Sequence, residues 1–331
     1  MPELNTAGMG WISQFGPFRD DTHRQRYADS FGAELPARIL PDAPFGPALQ
    51  VVANLFFWLW VFDDLLCDEV PPGQAANDQV VLLTKLARSA EIPSGPAVGS
   101  PYWPVASLGS LRHDLDQVAS PRQVARWVAA THMYLLSNAA IAAYNTQGVI
   151  PDIDSYIALR IHSGAVKMTL MLVDVAHGYE LPAEDMERPE IWALNEMVCA
   201  IVGCDNDLLT YYKEVTRGGA NHNLITVLRA AGMSSAEAVH HTIAMRDRVF
   251  ALFLRLRDQV AVGCGPGMRR YLDCLSNWIR AHLDWGLATA RYHNPHDPKH
   301  LPHDYARTSH DASLKPLPIP TIAWWWDLLT P

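Results

Sequence analysis

Charge is scarce in this chain, at 18% of 331 residues, and the balance is acidic: 26 basic against 35 acidic side chains, a net charge of −9. That excludes an extended surface for nucleic acid or another polyanion, although a small phosphorylated ligand needs only a few local cations. Cysteine is sparse too. The five residues Cys67, Cys199, Cys204, Cys264 and Cys274 show neither zinc spacing nor a disulfide framework, which predicts a reducing, cytoplasmic setting. The first residues carry no basic n-region and no apolar h-region, so no signal peptide is expected. No segment reaches about eighteen apolar residues without charge, and no membrane-spanning helix is expected. Val/Ile/Thr runs at strand period, Gly-rich strand-to-helix turns, internal repeats and low-complexity tracts are all missing, which removes the α/β nucleotide-binding folds.

What is present is helical periodicity over an apolar background of 49%, enough for a large core. Helices are expected over 48–69, 75–90, 105–118, 121–147, 152–178, 187–216, 221–231, 234–264 and 267–293. Breakers separate them, including Pro71, Pro72 and Gly73 and the Pro/Gly/Ser-rich stretch 92–104. The reading is a single all-α domain, a helical bundle around a deep apolar cavity. Residues 1–46 are expected to form an N-terminal capping arm, 47–293 the main α-helical domain, and 294–331 a tail that packs on the domain or caps it. The tail holds His296, His300, His303 and His310 at irregular spacing, and Trp324, Trp325 and Trp326 suited to docking on the body, on a partner or over a cavity mouth.

Two polar constellations stand out. In residues 60–69, WVFDDLLCDE, an uninterrupted apolar run ends in Asp63, Asp64, Asp68 and Glu69. At about 100° per residue, Asp63, Cys67 and Asp68 fall within roughly 140° of one another, with Asp64 between Asp63 and Asp68. Asp64 and Asp68, as an i,i+4 pair, repel by a few tenths of a kcal/mol, roughly. A hard divalent cation would offset that; a solvated acidic helix end is the plain alternative. Further on, Asn206, Thr210 and Glu214 follow at i, i+4 and i+8 inside a long apolar helix, with Lys213 on the same stripe. An amide oxygen, a hydroxyl and a carboxylate suit Mg²⁺, which completes its shell with water and phosphate oxygens. Arg160 precedes a Ser163-Gly164 pair able to interrupt a helix, and Arg291-Tyr292 stands near the end of the last helix. Guanidinium groups match phosphate oxygens, as they also match surface carboxylates.

Taken in order, these elements resemble a class I terpene synthase of the bacterial type over roughly residues 45–295. Residues 63–69, DDLLCDE, are similar to the aspartate-rich metal motif in its longer DDxxx(D/E) form. Residues 206–214, NDLLTYYKE, are similar to the second motif, (N/D)Dxx(S/T)xxxE. Arg160 lies 46 positions before Asn206, at the place of the family's diphosphate-sensing arginine. Ser163 and Gly164 take the linker and effector places, Arg291-Tyr292 the C-terminal RY pair, and Trp285 the cavity tryptophan. The resemblance implies three Mg²⁺ ions held by Asp63, Asp64 and Asp68 from one wall and by Asn206, Thr210 and Glu214 from the other. It implies diphosphate contacts from Arg160, Lys213, Arg291 and Tyr292, and a main-chain carbonyl at Gly164 that steers ionisation. Phe56, Leu59, Trp60 and Trp285 would shape the cavity and face the carbocation. The implied substrate is a linear isoprenoid diphosphate, farnesyl first, then geranyl or geranylgeranyl, and a homodimer is among the implied assemblies. A chain-elongating prenyl transferase would show a second DDxxD element, which is missing here. A catalytically silent isoprenoid-binding protein would not need two complete ligand sets.

Overall fold

The computed structural model describes residues 2–29, 32–65, 76–92, 100–217, 220–289, 291–292, 306 and 308–330, and every regular element among them is helical. The N-terminal arm folds as α1 (Pro2–Ser13), α2 (Asp21–Ala28) and α3 (Glu34–Ile39). Next come α4 (Pro47–Asp63), α5 (Ala76–Glu91), α6 (Trp103–Asp116) and α7 (Pro121–Gln147). Three of these four open with proline in the first turn, where the missing N–H has no intrahelical acceptor to lose. Then follow α8 (Ile153–Ser163), α9 (Val166–Leu170), α10 (Val173–Ala176) and α11 (Ala183–Met186). The longest helix is α12 (Pro189–Arg217), succeeded by α13 (Leu224–Ala230), α14 (Ser235–Ala261), α15 (Pro266–Ala288) and the one-turn α16 (Pro320–Ala323).

The helix expected over 152–178 is three helices. The first interruption is at Gly164 and Ala165, where Ser163-Gly164 signals it. Gly164 itself has an ordinary backbone (φ −74°); the left-handed residue is Ala165, at φ 58°, which costs an L-residue about 1–2 kcal/mol. The second, at Met171 and Leu172, has neither Gly nor Pro to announce it. The last helix was expected to reach 293 and stops at Ala288, because the buried Thr289 hydroxyl takes the Arg291 N–H at 3.3 Å in place of a helical carbonyl.

Residues group into two compact units, each assembled from separate stretches of chain. The first comprises Met1–Ala142, Met168–Glu180 and Thr289–Arg291. Its centre is α4, whose residues 51–62 are apolar but for Asn54, which accepts from Gln50 Nε2 at 2.8 Å, and are buried but for the half-buried Trp60. Trp58 is fully buried, stacks on Phe62 with ring centroids 4.7 Å apart, and donates its indole N–H to Pro104 O at 3.2 Å. A side chain of this size contributes about 1.5–3 kcal/mol on burial. The arm reaches the same helix: a Cβ on Gly32 would stand 2.5 Å from the Phe57 ring and 2.7 Å from Trp60 Cζ3, so only glycine lets the arm pass here.

The second unit comprises Ala143–Lys167, Leu181–Ala288 and Tyr292–Pro331. Its spine is α12, whose Ile191, Leu194, Val198 and Ile201 are wholly buried at i, i+3, i+7 and i+10; α8, α13, α14 and α15 pack around it. The described part of the tail lies on this unit. Arg248 Nε donates to Asp311 at 2.9 Å, Thr321 N to Asp154 at 2.8 Å, and Gln259 Nε2 to Leu328 O at 3.0 Å. Trp325 is fully buried with its indole N–H on Glu196 at 3.1 Å. Of the four tail histidines only His310 is among the described residues, its backbone N–H on Asp247 at 2.6 Å. Burial raises the Glu196 carboxyl and the indole bond steadies its charged form. Trp325→Phe is therefore expected to lower unfolding free energy by about 1–3 kcal/mol, since that acceptor loses its donor. Urea denaturation reads this directly, and an unchanged midpoint would mean that the tail is held by ring packing alone.

Candidate active site

The densest polar network lies where α8 crosses α12. Gly203 makes the crossing possible: a Cβ there would stand 3.0 Å from Arg160 Cγ. Arg160 Nη2 consequently reaches Asn206 Oδ1 at 2.7 Å, Asp207 Oδ1 at 2.6 Å and Gly203 O at 3.3 Å. Burial works against the Arg160 charge, and Asp207 with the other anionic neighbours more than restores it. Arg160 Nε is buried without an acceptor among the described residues, an orphan donor of the kind native structures rarely leave without a purpose.

Asp207 is 1% exposed and is the hub behind the arginine. Its second oxygen accepts from the Tyr156 hydroxyl and, at 2.6 Å, from Leu224 N at the start of α13. Burial raises its carboxyl above the usual carboxylate range, and Arg160, Tyr156 and Leu224 offset that rise only in part. Asn206 faces the other way as well, donating Nδ2 to the Tyr292 hydroxyl at 2.9 Å, and the Tyr292 ring stands edge-on to the buried Trp285 with centroids 5.5 Å apart. One turn on, Thr210 Oγ1 lies 2.5 Å from Glu214 Oε1, whose second oxygen accepts from Asn223 Nδ2 at 2.9 Å. Lys213 is half-buried on the same helix. Beside the α8 break, Ser163 Oγ pairs with His222 Nε2 at 3.3 Å; burial and then Arg160 push that imidazole down to about 3, so it is neutral.

The aspartate pair belongs to the first unit. Asp63 is the last residue of α4 and Asp64 its C-cap. They differ sharply in depth, the Asp63 side chain being 43% exposed and the Asp64 side chain 1%. Arg291 bridges them, Nη1 on Asp64 and Nη2 on Asp63 at 3.0 Å. The Tyr27 hydroxyl donates to Asp64 Oδ2 at 3.1 Å, and Arg26 Nη2 comes within 3.5 Å of the same oxygen. Burial and then the Asp64 carboxylate raise the Tyr27 phenol, which keeps its proton. Asp68 lies outside the described residues, as do Cys67 and Glu69. Phe56 and Leu59 are buried on α4, and the half-buried Trp60 sits between the Phe56 and Phe57 rings at centroid distances of 5.6 and 6.0 Å.

The structure thus joins Arg160, Asn206, Thr210, Glu214 and Tyr292 in one network, and Asp63, Asp64 and Arg291 in another. Sequence reasoning passed over Asp207, Tyr156, Asn223, His222 and Tyr27. Helical spacing held a signal for Tyr156, four residues before Arg160 and so on the same face. Nothing local marked Tyr27.

Comparison with known proteins supplies a further finding. Residues 54–251 match the family described as "Terpene synthase family 2, C-terminal metal binding". The chain is 37% identical to a germacradien-6-ol synthase of Streptomyces pratensis, covering 99% of this chain and 92% of that protein. It is 32% identical to a (+)-T-muurolol synthase of Streptomyces clavuligerus, described as cyclising (2E,6E)-farnesyl diphosphate, over 99% of this chain and 79% of that one. A crystal structure of the SVS_A2 protein from ancestral sequence reconstruction superposes with a TM-score of 0.87 at 29% identity, covering 99% and 94% of the two chains.

Proposed function

The chain belongs to the terpene synthase family, and on that premise we propose that it cyclises a linear isoprenoid diphosphate with Mg²⁺, farnesyl diphosphate being the first substrate. Enzymes of this family are lyases acting on diphosphate esters, and its metal-binding region spans the matched residues. The observation that carries the finer reading is the junction at Asn206. One side chain joins a buried guanidinium, a phenol and the head of a row of oxygen donors.

The α12 donors fit a hard cation. All are oxygens, which suit Mg²⁺ rather than the nitrogen and sulfur that zinc favours. The Asn206 carbonyl has two lone pairs and gives one to Arg160. Thr210 has one proton and two acceptors in reach, Glu214 Oε1 at 2.5 Å and Asn206 O at 2.8 Å; donating to either leaves the hydroxyl lone pairs for a ligand. Asn206, Thr210 and Glu214 would hold one ion, and Asp63, Asp64 and Asp68 the others of a set of three. When bound, Mg²⁺ neutralises the diphosphate and orients its departure.

Arg160, Lys213, Arg291 and Tyr292 donate to diphosphate oxygens, with the orphan Nε of Arg160 as an available donor. The main-chain carbonyl of Gly164, at the α8 break, steers the ionising carbon, and the strained Ala165 next to it holds that break open. Phe56, Leu59, Trp60 and Trp285 shape the chain and exclude water. Aromatic faces stabilise a cation by about 0.5–2 kcal/mol each. A reducing, cytoplasmic setting belongs to the same proposal, supported by free thiols at Cys199, Cys204, Cys264 and Cys274.

The test is incubation of the purified protein with Mg²⁺ and, separately, geranyl, farnesyl and geranylgeranyl diphosphate. Extracts go to gas chromatography–mass spectrometry, with released diphosphate counted alongside. A metal-dependent terpene from farnesyl diphosphate is the expected result, and product from another chain length alone would correct the substrate. In the same assay Trp60→Ala is expected to redistribute products more than it changes the Mg²⁺ requirement. An unchanged product profile would leave Trp60 as packing between Phe56 and Phe57.

A further inference from the structure

The N-terminal arm touches the aspartate pair directly. On α2, Tyr27 is 2% exposed. Its ring is fixed from two sides, edge-on against His23 with centroids 5.3 Å apart and tilted against Phe18 at 5.4 Å. Packing therefore aims the hydroxyl, which leaves little rotamer freedom to lose on bonding. It lands on Asp64 Oδ2, where Arg291 Nη1 also donates and Arg26 stands at 3.5 Å. The Arg26 side chain is 36% exposed, so solvent weakens that third contact.

The arginine fork is used unusually. A guanidinium commonly grips one carboxylate with two parallel bonds. Arg291, 5% exposed, instead spreads its two nitrogens over two carboxylates, one to Asp64 and one to Asp63. The Tyr27 hydroxyl bears on this: it donates to the same oxygen, Asp64 Oδ2, that takes one arm of Arg291 while the other arm extends to Asp63. Without that bond Asp64 loses one of the donors that hold this oxygen, and the division of Arg291 between Asp64 and Asp63 is expected to change.

We infer that Tyr27 is a positioning residue that sets the Arg291 bridge between Asp63 and Asp64 and, through it, the affinity of the aspartate pair for Mg²⁺ and diphosphate. The inference rests on the functional reading above. It also assigns the arm a part in the chemistry, beyond covering α4.

Tyr27→Phe removes the hydroxyl and keeps the ring; Trp11→Phe perturbs the same arm at α1, away from the Phe18 and His23 rings that hold Tyr27. Calorimetric titration of each full-length protein with Mg²⁺ in the presence of inorganic diphosphate measures affinity without turnover, and thermal unfolding runs in parallel. Tyr27→Phe is expected to weaken binding roughly tenfold, as loss of a residue that orients a ligand does, with some fall in unfolding midpoint because a buried carboxylate loses a donor. Trp11→Phe is expected to bind as the unchanged protein does even where its midpoint also falls. Wild-type affinity in Tyr27→Phe overturns the inference, and so does equal weakening in Trp11→Phe, which would make the effect one of arm stability. If the unchanged protein neither binds Mg²⁺ with diphosphate nor turns over any substrate, the functional reading fails and takes this inference with it. If it does both while Tyr27→Phe matches it, the inference alone fails.

Discussion

Replacing Asp207 with alanine is expected to destabilise the fold by about 3–5 kcal/mol, the cost of stranding a buried charge by removing its partner. Arg160 would keep its guanidinium under α12 with only the Asn206 and Gly203 oxygens to face. The Tyr156 hydroxyl and the Leu224 N–H would lose their acceptor in the same step, adding unpaired buried donors. Asp207→Asn should be milder, because one amide oxygen still accepts, but Arg160 would still lose its nearest counter-charge. Urea denaturation compares the three proteins. A loss under about 1 kcal/mol in Asp207→Ala would mean that water or a relaxed α13 replaces the carboxylate, contrary to the burial described. Activity is expected to fall with stability, since Asp207 orients the Arg160 nitrogen that also meets Asn206.

Asn206→Ala is expected to lower kcat/KM for diphosphate release by about 100-fold or more, since even outer residues around a metal cost 10–100-fold. Three contacts end at once: the acceptor for Arg160, the donor to Tyr292 and the first oxygen of the Asn206, Thr210, Glu214 row. The helix itself should survive, alanine being the best helix former, so circular dichroism should be unchanged. Asn206→Asp discriminates further. A carboxylate still accepts from Arg160, and the Tyr292 hydroxyl can turn from acceptor to donor, so much of the activity should remain. Near-normal turnover in Asn206→Ala would remove Asn206 from the proposed ligand set. The same replacement at Asp63 is expected to act similarly, through the aspartate pair.

Much of this was legible in the chain because local rules govern it. Proline at position 121 and period-3.6 patterning mark a helix that does run Pro121–Gln147. The i, i+4, i+8 spacing puts Asn206, Thr210 and Glu214 on one face, and the Thr210–Glu214 contact follows from it. What stayed hidden depends on tertiary neighbours. Adjacent aspartates read alike, yet Asp64 is enclosed by Tyr27 and Arg291 while Asp63 stays half open, and that difference comes from residues 37 and 227 positions away. The periodicity carries the last helix to 293, but the Thr289 side chain takes the Arg291 N–H and α15 ends sooner, at Ala288. The break at Met171 and Leu172 has no local breaker, and packing overrides propensity there.

The bridge from Arg291 to Asp63 and Asp64 spans 228 and 227 residues, and that separation bears on how the molecule is made. On the ribosome α4 emerges early, and its terminal carboxylates must wait for nearly the whole polypeptide before their guanidinium exists. Closure over so long a loop is slow and comes late, because its entropy must be met before the contact is rewarded. A nascent chain can therefore collapse around α4 with Arg26 beside Asp64 but without the Arg291 bridge. The assembled aspartate–arginine cluster therefore exists only once the chain has been made through Arg291.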